Sequence, residues 1–271
     1  MYRSFFLVPR EGLEPSRYRY HACLRRDRLP ISTPRQLSLF YYNINPLKVK
    51  LIWYLWEFCD LFVIINNMEK DKKTTEAYNK IASEYNKRNY QSFWIKEYSY
   101  FKELISGDKV VDLGCGAGRD AEQFVKDGFD YLGVDSSEKM LDLAQERVPE
   151  AQFRLLDLRD LDLPVSSFDG FWASASLLHF PKVEIPTILK SFYNLLKTGG
   201  VGFISVKAKQ AVSEGFIKED KAGGIERYFS FFTEDELTKF LEEARFKIVK
   251  LSHLFEDDPL QTEWLCFFVK K

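Results

Sequence analysis

The run Val110-Val111-Asp112-Leu113-Gly114-Cys115-Gly116-Ala117-Gly118 constrains this chain more than any other stretch. It reads as a buried strand that turns through glycines into a helix. Glycine has no Cβ and tolerates positive φ, so such a turn lets a ligand approach the backbone closely. Twenty-one residues after Gly114, a second short strand, Tyr131-Leu132-Gly133-Val134, ends in Asp135. An acid at that offset commonly meets ribose hydroxyls in nucleoside-binding α/β folds. Together they imply a nucleoside-type ligand. The alternative is an ordinary glycine turn between strand and helix.

The rest of the chain from residue 68 alternates strand and helix signals. Tyr78, Ile81, Ala82 and Tyr85 fall on one face at helical period. A second helical stretch is expected near 92–105. Then come a strand at 109–113, a helix near 117–127, a strand at 130–134 and a helix near 137–147. Strands at 152–156 and 168–173 follow. Helix 183–196 places Ile185, Ile188, Leu189, Phe192, Leu195 and Leu196 on one face and stops at Thr198-Gly199-Gly200. Strand 201–206 is next. Thr233-Glu234-Asp235-Glu236 reads as a capping box opening helix 234–244. Strands near 246–254 and 263–270 are expected to pair as a hairpin. The pattern predicts a mostly parallel sheet covered by helices, with an antiparallel edge.

The first 67 residues differ in kind. They carry a net charge of +5, against −6 for residues 68–271. The segment 47–65 is apolar but short for a membrane span, and Glu57 and Asp60 interrupt it. The run Pro9-Arg10-Glu11-Gly12-Leu13-Glu14-Pro15-Ser16-Arg17 is similar to peptides made when a transfer-RNA gene is wrongly translated. The expectation is a non-native extension of 1–67 ahead of a start at Met68, with one domain over 68–271. A membrane tail and a folded extension are the alternatives. The acidic charge of 68–271 is a poor match for a phosphate backbone, so neither nucleic acid nor a membrane is expected as partner. The four cysteines, Cys23, Cys59, Cys115 and Cys266, form no C-x-x-C pair and no zinc pattern. They read as reduced thiols of a cytoplasmic protein that binds no metal, with Cys115 a small filler in the loop.

Three acids stand at strand ends. Asp112 precedes the glycine loop, where it can order that loop, accept from a cationic ligand amine, or simply face solvent. Asp135 ends the second strand. Asp157 follows Gln152-Phe153-Arg154-Leu155-Leu156. Its carboxylate can accept from an adenine amino group while the Leu158 N–H meets a ring nitrogen, or it can cap the next turn.

These stretches resemble the class I S-adenosylmethionine-dependent methyltransferases of small-molecule type. The similarity lies in VVDLGCGAGRDA, YLGVDSSEKMLDLA, FRLLDLRDL, FDGFWASASLLHF, LLKTGGVGFISVK and the opening AYNKIASEYNKR, in that order over 68–271. The resemblance implies a Rossmann-like α/β fold: a seven-stranded, mostly parallel sheet with an antiparallel last strand and helices on both faces. It implies S-adenosyl-L-methionine as cofactor. Gly114 and Gly116 would then face its methionine and ribose parts, and Asp135 its ribose hydroxyls. Ser136 and Met140 would lie near adenine, Ser174 beside the sulfonium, and Tyr85 at the cofactor carboxylate.

Methyl transfer needs alignment and exclusion of water, and a base only where the acceptor must lose a proton. His179, after the fourth strand, is the base candidate, with a structural role as the alternative. Lys207–Phe232 reads as a stretch over the pocket, either a lid or an ordinary crossover. Within it Lys207, Arg227, Tyr228 and Phe229 are acceptor-binding candidates, while Trp264 reads as core.

The function expected is methyl transfer to O, N or C of a small molecule. A protein or RNA methyltransferase is the neighbouring reading. A nicotinamide-dependent oxidoreductase shares the glycine turn and Asp135, but its turn usually reads G-x-G-x-x-G, and here position 119 is Arg. A silent binding module on the same fold is the third class.

Overall fold

Seven strands of this chain pair in the order β3-β2-β1-β4-β5-β9-β8. The computed structural model describes residues 72–89, 93–218, 224–256 and 262–271. The expectations for residues 1–67 and Met68 lie outside the described residues. Helix α1 covers 72–88 and α2 is Ile95–Leu104. They are followed by β1 (Lys109–Leu113), α3 (Ala121–Lys126), β2 (Asp130–Asp135), α4 (Glu138–Arg147) and β3 (Gln152–Leu155). Strand β4 is Phe168–Ser174, α5 Ile185–Leu195 and β5 Leu196–Lys207. Strands β6 (Glu214–Lys218) and β7 (Glu226–Ser230), helix α6 (Glu234–Glu243), and strands β8 (Lys247–Phe255) and β9 (Glu263–Lys270) complete the chain.

Strands β1 to β5 run parallel, and β9 runs antiparallel to both β5 and β8. The last strand is therefore antiparallel as expected, but it is inserted between β5 and β8, and β8 forms the edge. Chain order runs outward from β1 to β3 on one side and from β4 to β5 on the other. The C-terminal ends of β1 and β4 thus flank a crevice, the place where open α/β sheets bind ligands.

The central strands are buried on both faces, as parallel strands covered by helices must be. Trp172 on β4 stacks on Phe203 of β5 with centroids 4.0 Å apart, and Phe101 and Phe124 pack edge-on against it. Trp94 meets Phe203 and Trp264 edge-on, which makes Trp264 part of the core. The α6 capping box is present: Thr233 Oγ1 accepts from Glu236 N, and Glu236 Oε2 accepts from Thr233 N.

Two expectations need correction. The Thr198-Gly199-Gly200 stop lies inside β5, because Leu196 already pairs with Phe168. A Cβ at Gly200 would come within 3.1 Å of the Asp169 carbonyl, so glycine permits that approach of strands. The Lys207–Phe232 stretch, expected as a lid or an ordinary crossover, holds two strands of its own. Its β6 and β7 pair antiparallel as a separate two-stranded sheet.

Candidate cofactor and acceptor site

The glycine turn leaves β1 at Gly114, with φ +90, and reaches Gly116 at φ +54. A Cβ at Gly114 would stand 2.4 Å from Ser176 Cβ, so only glycine fits there. Above Gly116 no described residue lies within 4 Å of such a Cβ, which leaves room for a ligand against the backbone. Gly116 N donates to Asp135 Oδ2 at 2.9 Å, and Ser137 N donates to Oδ1 at 2.8 Å. Burial pushes the Asp135 carboxyl above the ordinary range, against the opposing pull of these N–H groups.

Residues 116–120 turn before α3 begins, and this turn carries a pair that the sequence argument passed over. Arg119 Nε and Nη2 grip Asp120 at 2.9 and 2.8 Å, a bidentate fork. Asp120 also accepts from Trp172 Nε1 and Ser174 Oγ, both at 3.0 Å. Burial alone would raise its carboxyl, but Arg119 and these donors outweigh it and hold the carboxyl low. The core tryptophan thus anchors the ion pair that aims Arg119 into the pocket. The signal in the sequence was Arg-Asp directly after the glycines.

One pocket gathers Gly114, Gly116, Arg119, Asp135, Ser136, Met140, Leu158, Ser174, His179, Tyr78 and Tyr85. Helix α1 supplies its far wall. Ile81 and Ala82 of that helix are buried, and Tyr78 and Tyr85 pack with Met140. Thr75 Oγ1 and Ser136 Oγ lie 3.1 Å apart, tying the helix to the end of β2. Asn86 Oδ1 and Ser176 Oγ, also at the pocket, are buried with no hydrogen-bond partner among the described residues.

Other expected residues stand elsewhere. Asp112 is 1% exposed and does not line the pocket; Tyr131 donates to it at 2.8 Å. Burial, then Asp120 and Asp135, push its carboxyl well up. Asp157 lines an adjoining hollow with Ser136, and Arg159 N donates to its Oδ1 at 2.9 Å, which is the turn cap. None of Lys207, Arg227, Tyr228 and Phe229 lines the pocket: Arg227, Tyr228 and Phe229 of β7 are buried, and Lys207, at the end of β5, is half-buried. Cys115 is a buried thiol pushed well up by burial, which fits a filler. Among the described residues no His/Cys/Asp/Glu cluster fits a metal, and no helix is long and apolar enough to cross a membrane.

His179 sits in the 3₁₀ turn Leu177–His179 after β4. Burial, Arg227 and Lys207 lower its pKa to about 3, against the pull of the Tyr228 carbonyl, so it is neutral.

The donor set fits S-adenosylmethionine. A fixed carboxylate and the open backbone at Gly116 suit a ribose, a fixed guanidinium suits a carboxylate, and two orphaned oxygens suit ligand N–H or O–H groups.

Known proteins resemble this chain in sequence and in fold. Residues 110–200 match the model of a methyltransferase domain. A demethylmenaquinone methyltransferase of Symbiobacterium thermophilum is 32% identical over 164 residues, covering 54% of this chain. The chain spans 62% of that relative's length, less than two thirds. A methyltransferase of Methanosarcina mazei superposes with TM-score 0.59 at 19% identity, over 64% of this chain and 97% of that one. The 1,6-didemethyltoxoflavin-N1-methyltransferase of Burkholderia thailandensis, solved with 1,6-didemethyltoxoflavin and S-adenosylhomocysteine, superposes with TM-score 0.51 at 19% identity. That match covers 90% of this chain and 92% of that one. Residues 110–200 are thus similar to a methyltransferase domain, and the chain has the Rossmann-like fold of solved S-adenosylmethionine-dependent methyltransferases.

Proposed function

We propose that this protein is an S-adenosylmethionine-dependent methyltransferase with a small-molecule acceptor. One observation carries the reading. Asp135, an anion fixed by two backbone N–H groups, and Arg119, a cation fixed by Asp120, line a single pocket at the switch point of the sheet.

In this reading Asp135 accepts from the ribose hydroxyls, and Gly114 and Gly116 lie along the methionine and ribose parts. Ser136, Met140 and Leu158 flank adenine, with Asp157 and the Leu158 backbone at its edge. Arg119 and Tyr85 meet the carboxylate, and Ser174, held by Asp120, lies beside the sulfonium. The bound cofactor supplies a methyl group on positively charged sulfur, which leaves as a neutral thioether. The chain's own task is to orient both reactants and keep water out. The α1 wall serves the second purpose. His179 stands at the acceptor end as a neutral ring.

A small acceptor is supported by the named relatives, one acting on demethylmenaquinone and one solved with 1,6-didemethyltoxoflavin. The acidic balance of 68–271 supports it too. The buried Arg227, Tyr228 and Phe229, with the half-buried Lys207 beside them, then shape the acceptor end from behind the pocket lining. The unpatterned cysteines suit a cytoplasmic enzyme.

The test is incubation of the full chain with tritium-methyl-labelled S-adenosylmethionine and a cell extract, followed by fractionation. Label in the small-molecule fraction supports the reading. Label confined to protein or RNA would replace it with the macromolecular alternative.

A further inference from the structure

We infer that Tyr78 takes up the proton that the acceptor releases, with His179 as its next carrier and Arg227 as the positioning residue. This rests on the methyl-transfer reading above.

The geometry fixes a direction. His179 Nδ1 lies 2.7 Å from the Tyr228 carbonyl oxygen. A carbonyl only accepts, so Nδ1 carries the hydrogen. In a neutral ring Nε2 is then the acceptor. The Tyr78 hydroxyl lies 2.7 Å from Nε2 and must donate to it. Arg227 Nη1 donates to the same hydroxyl oxygen at 2.7 Å. The chain of bonds therefore runs one way, from Arg227 to Tyr78, to His179, to the Tyr228 carbonyl. It joins α1, the turn after β4, and β7. Tyr78 and His179 line the pocket, whereas Arg227 is 3% exposed behind them.

His179 Nε2 already receives the Tyr78 hydroxyl, so a proton from the pocket reaches it through Tyr78. The acceptor's electron pair forms the bond to the methyl carbon, and the carbon–sulfur pair returns to sulfur. The acceptor's O–H or N–H proton passes to the Tyr78 oxygen as Tyr78's own proton passes to His179 Nε2. The positive charge that began on sulfur ends on the imidazole, and the proton goes to solvent as product leaves. The groups facing His179 are Tyr78 from α1, Arg227 and the Tyr228 carbonyl from β7, and Lys207 from β5. The Phe229 ring lies 4.8 Å away. Burial, with Arg227 and Lys207 beside the ring, keeps it neutral at rest. Arg227 also holds the phenol oxygen in line.

The test is nitrogen NMR of the full chain with ¹⁵N-labelled histidine and S-adenosylhomocysteine present. The chain has three histidines, and His179→Gln identifies the signal. At pH 7 His179 should show a protonated Nδ1 and an unprotonated, hydrogen-bonded Nε2. Tyr78→Phe should move the Nε2 resonance to its unbonded position and leave Nδ1 protonated. Arg227→Met should raise the pH at which His179 titrates, and Arg227→Lys, which keeps the cation, should restore it, a rescue that a purely packing role does not predict. An Nε2–H tautomer, an imidazolium at pH 7, or an unmoved Nε2 in Tyr78→Phe would overturn the inference. Calorimetry with S-adenosylmethionine separates the two levels. If the wild type does not bind, the methyl-transfer reading falls, and the inference with it. If it binds and the tautomer is wrong, the inference alone falls. Tyr78→Phe should bind S-adenosylmethionine as tightly as wild type. A loss of about tenfold or more, the size of a lost bond to a charged ligand, would make Tyr78 a cofactor-binding residue instead.

Discussion

Gly116 gives its backbone N–H to Asp135 Oδ2 at 2.9 Å, so the glycine turn and the acid that follows it are one hydrogen-bonded unit. The acid is held before any ligand arrives. Little ordering remains to be paid on binding, which is the physical content of preorganisation.

Asp135→Ala should weaken S-adenosylmethionine binding by roughly 10- to 100-fold, the cost of losing hydrogen bonds to a charged group. The loss should appear in the dissociation constant by calorimetry. Unchanged affinity in a folded variant would remove Asp135 from the site.

Arg119 should recognise the amino-acid tail of the cofactor. Arg119→Leu should therefore weaken S-adenosylmethionine by about tenfold or more and leave 5′-methylthioadenosine, which lacks that tail, unaffected. Equal losses for both ligands would show that Arg119 acts only on loop structure.

Asp120→Ala should cost about 3–5 kcal/mol, because it leaves the charge of Arg119 without its buried partner. The same change strands the Trp172 N–H. The measurement is denaturant unfolding. A loss within the range of a surface substitution would contradict the anchoring role given to Asp120.

Acid should destabilise the fold through His179. Its folded pKa of about 3 lies below its ordinary 6.5, so the unfolded chain binds more protons between those values. The sign follows: stability from this group is complete above pH 6.5 and is lost as pH falls toward about 3. Asp112, with its raised carboxyl, works in the opposite sense, so the comparison is wild type against His179→Gln. The variant's stability curve should be the flatter one over that range. Parallel curves would mean that His179 is not held neutral.

How much was legible follows from where side chains face. Strand β1 and the end of β2 were readable because both are short apolar runs bounded by turn residues. The β6–β7 hairpin was not. Arg227, Tyr228, Phe229 and Ser230 are all buried, so β7 shows no alternation of period two, and a buried arginine reads as surface in a sequence. Asp112 was misplaced for a related reason. A sequence shows that an acid ends a strand, not which way its carboxylate points, and this one points to Tyr131. Arg119 was visible as a residue but not as a pocket group, because its aim depends on Asp120, Ser174 and the distant Trp172.

The most direct test of the central claim is a calorimetric titration of the full chain with S-adenosylmethionine, repeated with NAD. The account predicts saturable binding of S-adenosylmethionine at one site, reduced in Asp135→Ala, and no comparable binding of NAD. A folded protein that ignores S-adenosylmethionine, or that prefers NAD at the same site, would contradict it.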